Sequence, residues 1–524
     1  MVSRAAPATD TAPEVDYPDS LDAGLLRIAG VCILGSVMAI LDSTVVSVAQ
    51  RTFIAEFSST QAIVAWTITG YTLGQATVIP LAGWASDRFG TKRLFIGAAL
   101  WFTCASLLCS IASNISQLIT FRIIQGLGSG MLVPLTLIIL TREAGPRRLG
   151  RLMAVLGVPM LLAPMCGPVL GGWLISAYGW EWIFRINLPV GVILLVCAAS
   201  IFPKDRPRPS EAFDFVGMLL LSPGLALLLF GISSMPRRDS FTDNHVWIPG
   251  LIGIALIVAF VLHALHRTDH PLLDLALFKK RAVTLSNAAM FSFSVGFFGA
   301  ALVIPSYLQQ LLHETPLQSG VQLIPQGLGA MLTMPLAGTL MDKRGPRHVL
   351  LAGVALIATG LSVFAYGAWH EADYLPTLLV GLVTTGIGLG CTLTPLSGAA
   401  LQTLAPHEVA RGSTLLSVNQ HVAVAVGTAL MSVILTGQFN RSGTIGAAEK
   451  LGILRGKFPK HGAPVPAHRE VSAEFTTRLM HDLTHSYTLV FVVSIVVVVV
   501  TLLPVAFLPN KPPPAGRAQS AVPV

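Results

Sequence analysis

The chain has 524 residues, of which 53% are hydrophobic and only 11% charged, and its mean hydropathy is +0.70. A soluble domain carries about 25% charged residues, and no soluble core of this size could hide so much apolar surface, so a polytopic membrane protein is indicated. The formal net charge of +8 points to nucleic acid only if its placement along the chain is ignored.

Residues 1–22 are polar and acidic, lack a basic n-region, and read as a disordered cytoplasmic tail rather than a signal peptide. Apolar runs then recur near residues 24–48, 62–82, 94–112, 117–140, 151–177, 182–202, 213–235, 246–266, 283–311, 319–341, 347–368, 375–400, 411–436 and 485–508. In lipid each of these fourteen must be a helix, because no water is present to satisfy open backbone groups. The predicted class is an all-α polytopic membrane protein.

An even number of spans puts both termini on one side, and the basic residues say which. With the N-terminus inside, inner segments hold 22 of the 34 Lys and Arg residues, from Arg4 and Arg27 to Lys511 and Arg517. Outer segments hold ten, seven of them in the long loop 437–484, where such residues count little. Both ends are therefore expected in the cytoplasm, with the plasma (inner) membrane as the location.

The chain also repeats itself. Gly83-Trp-Ala-Ser-Asp87-Arg88-Phe-Gly90-Thr-Lys92-Arg93 follows the second span, and Gly338-Thr-Leu-Met-Asp342-Lys-Arg-Gly345-Pro-Arg347 follows the tenth. Two six-helix halves, 23–202 and 283–508, thus look like copies. The linker 203–282 holds the two extra spans, flanked by Pro203-Lys-Asp-Arg-Pro-Arg-Pro209 and His266-Arg-Thr-Asp-His-Pro271, and a structural role between the halves is expected for it. The tail 509–524 is Pro-rich and reads as disordered and cytoplasmic.

Two residues stand out inside the spans. Asp42, in Leu41-Asp42-Ser43-Thr44-Val45-Val46, has no neighbouring charge, and no other Asp or Glu lies well inside a span; Glu181 and Asp214 fall near ends. A carboxylate at that depth costs about 2.5–3.5 kcal/mol on insertion scales and is a functional candidate by default. Arg122 is the basic residue clearly inside a span and away from its ends. The first span runs outward and the fourth inward, so both residues are expected in the outer half of the membrane.

The charged loops need tight turns, which Gly83 and Gly90 permit. Asp87 is expected to cap the helix that follows it, while Arg88, Lys92 and Arg93 hold the loop inside. The fifth span, Gly157-Val-Pro-Met-Leu-Leu-Ala-Pro-Met-Cys-Gly167-Pro168-Val-Leu-Gly171-Gly172, is kinked and small-faced, which suits an interface between halves. His421, with Asn419 and Gln420, forms a polar patch midway along 411–436 that could join a proton path. Gln75, Gln125, Gln326, Asn287 and Gln322 are candidate cavity groups, and Trp66, Tyr71, Phe291 and Phe298 could stack on a flat cation. The loop 437–484 has weak helical periodicity around 446–455 and 469–481; it could cover the mouth or contact an outer-envelope partner, which the sequence does not identify.

The six cysteines all fall in apolar segments without metal spacing, and read as small core residues. No phosphate loop, H-E-x-x-H or C-x-x-C is present, so no cofactor, no metal and no enzymatic activity are expected.

The paired loops resemble the signature of the major facilitator superfamily, and the resemblance covers nearly the whole chain. Leu41 to Ala49 resembles the first-helix motif of its fourteen-span drug:proton antiporters, the QacA/EmrB type. Arg122-Ile-Ile-Gln-Gly-Leu-Gly-Ser-Gly130 is similar to the fourth-helix R-x-x-Q-G, and Gly167-Pro168-Val-Leu-Gly171-Gly172 to the fifth-helix antiporter motif. Trp180-Glu-Trp-Ile-Phe-Arg-Ile-Asn-Leu-Pro-Val-Gly191 resembles the sixth-helix W-R-W-x-F-x-I-N-x-P-x-G. Departures are Ala154 and Ala163 where the fifth-helix motif has further glycines, and Glu181 and Arg185 in the sixth, an i,i+4 couple expected to pair. The resemblance implies the major facilitator fold, with fourteen helices in two six-helix bundles plus two inserted helices. It also implies alternating-access export of hydrophobic or cationic compounds against protons. In this reading Asp42 and Arg122 neutralise one another until Asp42 takes a proton. The alternatives are export of an endogenous lipid, siderophore or peptide, proton-coupled import, or a non-transporting receptor.

Overall fold

The computed structural model describes residues 22–59, 61–144, 148–205, 213–238, 244–266, 272–312, 314, 316–371, 374–405, 408–450 and 473–509. The expected tails beyond Asp22 and Pro509, most of the two flanks of the inserted spans, and residues 451–472 of loop 437–484 lie outside them; of the two periodic stretches in that loop, 446–450 and 473–481 are described and helical. Among the described residues there is no strand, and the helices follow the apolar text.

The first half opens with α1 (Ala23–Glu56), capped by Asp22, whose carboxylate accepts from Leu25 N–H and from Arg148 at 2.9 Å. The second span is broken into α2 (Gln61–Val64), α3 (Trp66–Val78), a 3₁₀ turn (Ile79–Leu81) and α4 (Ala82–Phe89). Then come α5 (Thr91–Ser110), α6 (Ile115–Ala144) and α7 (Leu149–Tyr178), the last bent by 47° where Pro164 and Pro168 fall. The sixth span is α8 (Trp182–Arg185) followed by α9 (Asn187–Ile201).

The inserted pair is α10 (Phe215–Arg238) and α11 (Asn244–His266). The second half comprises α12 (Arg281–Leu311), α13 (Pro316–Gln322), α14 (Ile324–Arg344), α15 (Pro346–Trp369), α16 (Leu379–Gly390), α17 (Leu393–Leu401), α18 (Val409–Arg441), α19 (Gly443–Lys450), α20 (Ala473–Val500) and α21 (Leu502–Ala506). Twelve helices among the described residues are long and apolar enough to span, and the bent α7 makes thirteen. Gln61–Phe89, the expected second span, is not in that count; with it the number is fourteen, so the expected fourteen is compatible with the structure.

The helices sort into two groups that pack mainly within themselves, α1–α9 and α12–α21. The groups meet along α7 against α14 and α17, and where α18 lies against the 3₁₀ turn, α4 and α6. The repeated loops mark one end of the molecule, here the motif end; Asp42 and Arg122 lie towards the other, the far end. The inserted α10 does not stand apart from the halves: it packs on both α3 and α18, with Phe230 stacked on Trp66 at 5.3 Å between centroids. Asp214 fastens its start, accepting from Gly217 N–H, Leu272 N–H and His263 Nε2.

Candidate functional site

Asp42 and Arg122 meet in the interior of the first half. Arg122 Nη1 donates to Asp42 Oδ2 at 2.5 Å, and neither side chain has any exposed surface. Two uncompensated charges would be prohibitive there, and the surrounding groups supply the compensation. Asp42 Oδ1 accepts from Gln125 Nε2 at 3.0 Å and from Asn187 Nδ2 at 2.8 Å. Arg122 Nη1 also donates to Gln125 Oε1 at 2.6 Å, and its Nε donates to the Thr67 carbonyl at 3.1 Å. Ser106 Oγ joins the two amides, bonded to Gln125 at 2.6 Å and Asn187 at 3.0 Å.

The backbone explains how five spans reach one point. The sixth span breaks at Ile186, between α8 and α9, and so presents Asn187 as the first residue of α9. Gly126 brings α6 so close to α3 that a Cβ there would lie 2.3 Å from the Tyr71 carbonyl oxygen. That approach seats the Tyr71 ring under the guanidinium, 4.0 Å from Arg122 Cζ, while the Tyr71 hydroxyl donates to Ala39 O. Every partner of Asp42 is a donor, which matches an acceptor-only carboxylate. Arg122 Nη2 is buried without a hydrogen-bond partner, so one edge of the guanidinium is uncommitted.

The turn of α1 that follows Asp42 packs on α7. A Cβ at Gly167 would fall 2.0 Å from Thr44 Oγ1, and one at Gly171 would fall 2.9 Å from Val45 Cγ1. These glycines therefore serve contact with α1 in their own half, not the interface between halves. The contact across halves is made one end further along, where Gly157 faces Met334 and Thr394. Gly172 faces open space, and the Pro168 and Ala154 side chains are outside the described set.

At the motif end the two loops do different things. Gly90 (φ +90°) and Gly345 (φ +85°) end α4 and α14 in the left-handed region, where a side chain would be strained. Asp87 does not cap α5, contrary to expectation; it pairs with Arg142 at 2.5 Å. The cap comes from Asp205, beyond the sixth span, which accepts from the N–H groups of Lys92 and Arg93 at 2.8 and 3.0 Å. Lys92 Nζ returns the contact, donating to the carbonyls of Ala199, in the last turn of α9, and of Phe202, which follows it. Arg88 and Arg93 are exposed. Asp342 reaches across to the other half: its carboxylate accepts from Arg151 N–H at 3.2 Å at the start of α7 and lies 3.5 Å from Arg151 Nε. Gly83 rests on α18, with its missing Cβ 3.0 Å from Thr414 Oγ1.

The remaining candidates are scattered. Gln125 is enclosed within the charge network rather than set in an open cavity. Gln75 bonds Ser129 at 3.2 Å, Gln326 is half-buried on α14, and His421 is half-buried on α18. Tyr71 and Trp66 are occupied by Arg122 and Phe230, and Phe298 packs on Phe293 and Phe297. Glu181 and Arg185 form no ion pair; Arg185 lies 5.8 Å over the Trp182 ring instead. Cys104 and Cys166 are exposed, so these two are not core residues. Asn187, Ser106 and Thr67 were not singled out from the sequence. An Asn between Ile186 and Leu188, in text that is otherwise apolar, is the signal that identifies Asn187.

Helical spans in two like groups, a buried ion pair in one and charged latches at one end define a polytopic transporter of the kind that moves small solutes, not an enzyme. The chain belongs to the Major Facilitator Superfamily, whose family model matches residues 32–428. It is 59% identical over 503 residues to "Multidrug resistance protein B homolog" of Mycobacterium tuberculosis (strain ATCC 25618 / H37Rv), covering 96% of this chain and 93% of that one. It is 28% identical over 404 residues to "Multidrug export protein EmrB" of Escherichia coli (strain K12), covering 77% and 78%. Two solved structures share the fold. The human organic anion transporter MFSD10 (TETRAN) has a TM-score of 0.55 at 16% identity, over 90% of this chain and 99% of that one. The proton:xylose symporter XylE has a TM-score of 0.57 at 15% identity, over 93% and 96%.

Proposed function

We propose that the chain is a proton-driven exporter of lipophilic, often cationic, small molecules, working by alternating access in the plasma membrane with both termini cytoplasmic. The names of the relatives support multidrug export. The observation that carries the proton coupling is the fully enclosed Asp42–Arg122 pair with its ring of donors. A proton on Asp42 replaces an acceptor by a donor facing Arg122, Gln125 and Asn187, and the arrangement must then change. Asn187 can turn its amide to accept, and Arg122, with Nη2 already uncommitted, is released.

α7 connects that event to the other half. It packs through Gly167 and Gly171 on the turn of α1 that follows Asp42, and its opposite end is held by Asp342 of the second half. A shift of α1 and α7 together loads the latch at the motif end, a small displacement acting on a bistable pair of bundles. The proton gradient does the work, about 2.3 kcal/mol per charge for each 100 mV.

The test is ΔpH-driven extrusion of a fluorescent lipophilic cation from proteoliposomes. Asp42→Asn should insert and fold yet lose ΔpH-driven transport. Arg122→Lys should keep part of it and Arg122→Ala none. Full transport by folded Asp42→Asn removes Asp42 from the mechanism.

A further inference from the structure

The first half has its ionisable centre in Asp42 and Arg122. The second half has one as well. Along the described residues of α12 to α21, the Asp, Glu, Lys, Arg and His residues fall within a few residues of a helix end or beyond it, except His421 of α18 and the group Arg478, His481, Asp482 and His485, which lies six to thirteen residues into α20 towards the far end. His421 is the thirteenth residue of α18, roughly 18 Å along it at 1.5 Å per residue, near the middle of an apolar layer about 30 Å thick.

Its face can be read from its own helix. Ala410 and Thr414 are the residues of α18 that meet Gly83 of α4. Seven residues on from Thr414 is almost two full turns, so His421 lies on that same face, directed at the first half. Here, beyond the 3₁₀ turn and α4, α18 has no extended contact with α3. His421 is half-buried and, among the described residues, makes no hydrogen bond. Its neighbour Asn419 is committed elsewhere, donating to the Asn287 carbonyl of α12.

The charged groups on the elements around α18 are distant in depth. Asp87 and Arg88 of α4, Arg142 and Glu143 of α6, Asp214 before α10, Lys280 and Arg281 at α12, and Glu408 and Arg411 of α18 itself all lie at the motif end. Glu474, Arg478, His481, Asp482 and His485 of α20 lie at the far end, with Arg441, and Arg122 of α6 is turned onto Asp42. No fixed charge of these elements sits level with His421.

We infer that His421 is a second proton-carrying site, on the half opposite Asp42 and facing the space between the halves. The inference rests on the exporter reading and sets its charge balance. With Asp42 alone, one proton enters as one monovalent cation leaves, and no net charge crosses. With His421 also loaded, two protons enter per cation, and one positive charge moves inward each cycle.

The experiment uses the full chain in proteoliposomes with tetraphenylphosphonium as the transported cation, driven by a pH gradient alone or by a membrane potential alone. Wild type is expected to respond to both, and His421→Gln to the pH gradient only, with charge moved per cation falling from one to zero. A His421→Gln protein still driven by potential overturns the inference, as does a wild type driven by the pH gradient only. If His421→Gln is inactive, His421→Glu restores a titratable group and should regain transport, its optimum moved about two pH units lower. A folded His421→Glu no better than His421→Gln overturns the inference too. Wild-type transport indifferent to both gradients would overturn the exporter reading itself, and this inference with it.

Discussion

Asp42→Asn replaces one oxygen of the carboxylate by NH2 and leaves its shape unchanged, so its effect can be worked from the bonds in place. Removing one partner of a buried ion pair typically costs about 3–5 kcal/mol, because the other charge is left uncompensated. Here the Asn amide oxygen can face Arg122 Nη1, but its NH2 then faces Gln125 Nε2 and Asn187 Nδ2. Asn187 can turn over, since its second contact is the Ser106 hydroxyl, which can donate or accept. Gln125 cannot turn without losing its Oε1 contact with Arg122. One of the two donors is thus rescued, which puts the cost near the lower end, about 3 kcal/mol. Arg122→Gln alone leaves the carboxylate unpaired and should cost as much or more. The double variant Asp42→Asn/Arg122→Gln removes both charges and should recover most of the loss, by about 2–3 kcal/mol of coupling. Denaturant or thermal unfolding of the purified protein reads the stabilities, and proton-driven transport is measured on the same preparations. The double variant should be stable and inactive. Additive losses in stability would show that the two charges do not compensate one another and would refute the reasoning.

Gly167→Val should block transport, because its Cβ would sit 2.0 Å from Thr44 Oγ1 and force α7 off α1; Gly172→Val, in open space, should be tolerated in the same vesicle assay. Asp205→Ala removes the cap of α5 and should cost about 0.5–2 kcal/mol in unfolding, with Asp205→Asn losing less. Burial pushes the Asp214 carboxyl up, but bonds from Gly217 N–H, His263 and Leu272 N–H outweigh it and hold it below the usual carboxylate range. Its contribution to stability is therefore present above the unfolded value of about 3.9 and lost as pH falls through the lower folded value. Asp214→Asn should flatten stability across that window, as followed by unfolding at pH 3–5.

How much was legible in the sequence depended on whether the signal was local. Asp42 and Arg122 could be found because a charge in apolar text is costly wherever the chain goes. Gln125 was also found, but its destination was not: amide spacing along one helix does not tell a cavity wall from a bond to a residue 83 positions away. Asn187 is neutral and depends on the break at Ile186 to point inward, which composition does not reveal. Asp87 as the cap of α5 was the natural reading from proximity, yet Asp205 takes that role from 113 positions away. The glycines of the fifth span announced close packing but not which partner each one meets: Gly167 and Gly171 face α1, whereas Gly157 faces the other half. The second span read as one uninterrupted helix, where the structure breaks it at Ala65 and again at Ile79.

In the proposed mechanism the carboxylate bound to Arg122 is where a hydrogen ion and the exported solute are exchanged. Proteoliposomes containing a trapped pH dye, given an outward gradient of tetraphenylphosphonium and no initial pH difference, address it directly. The wild-type lumen should acidify as the cation leaves, and the Asp42→Asn lumen should hold its pH. A lumen that stays neutral while wild type exports the cation, or one that acidifies equally with Asp42→Asn, would contradict it.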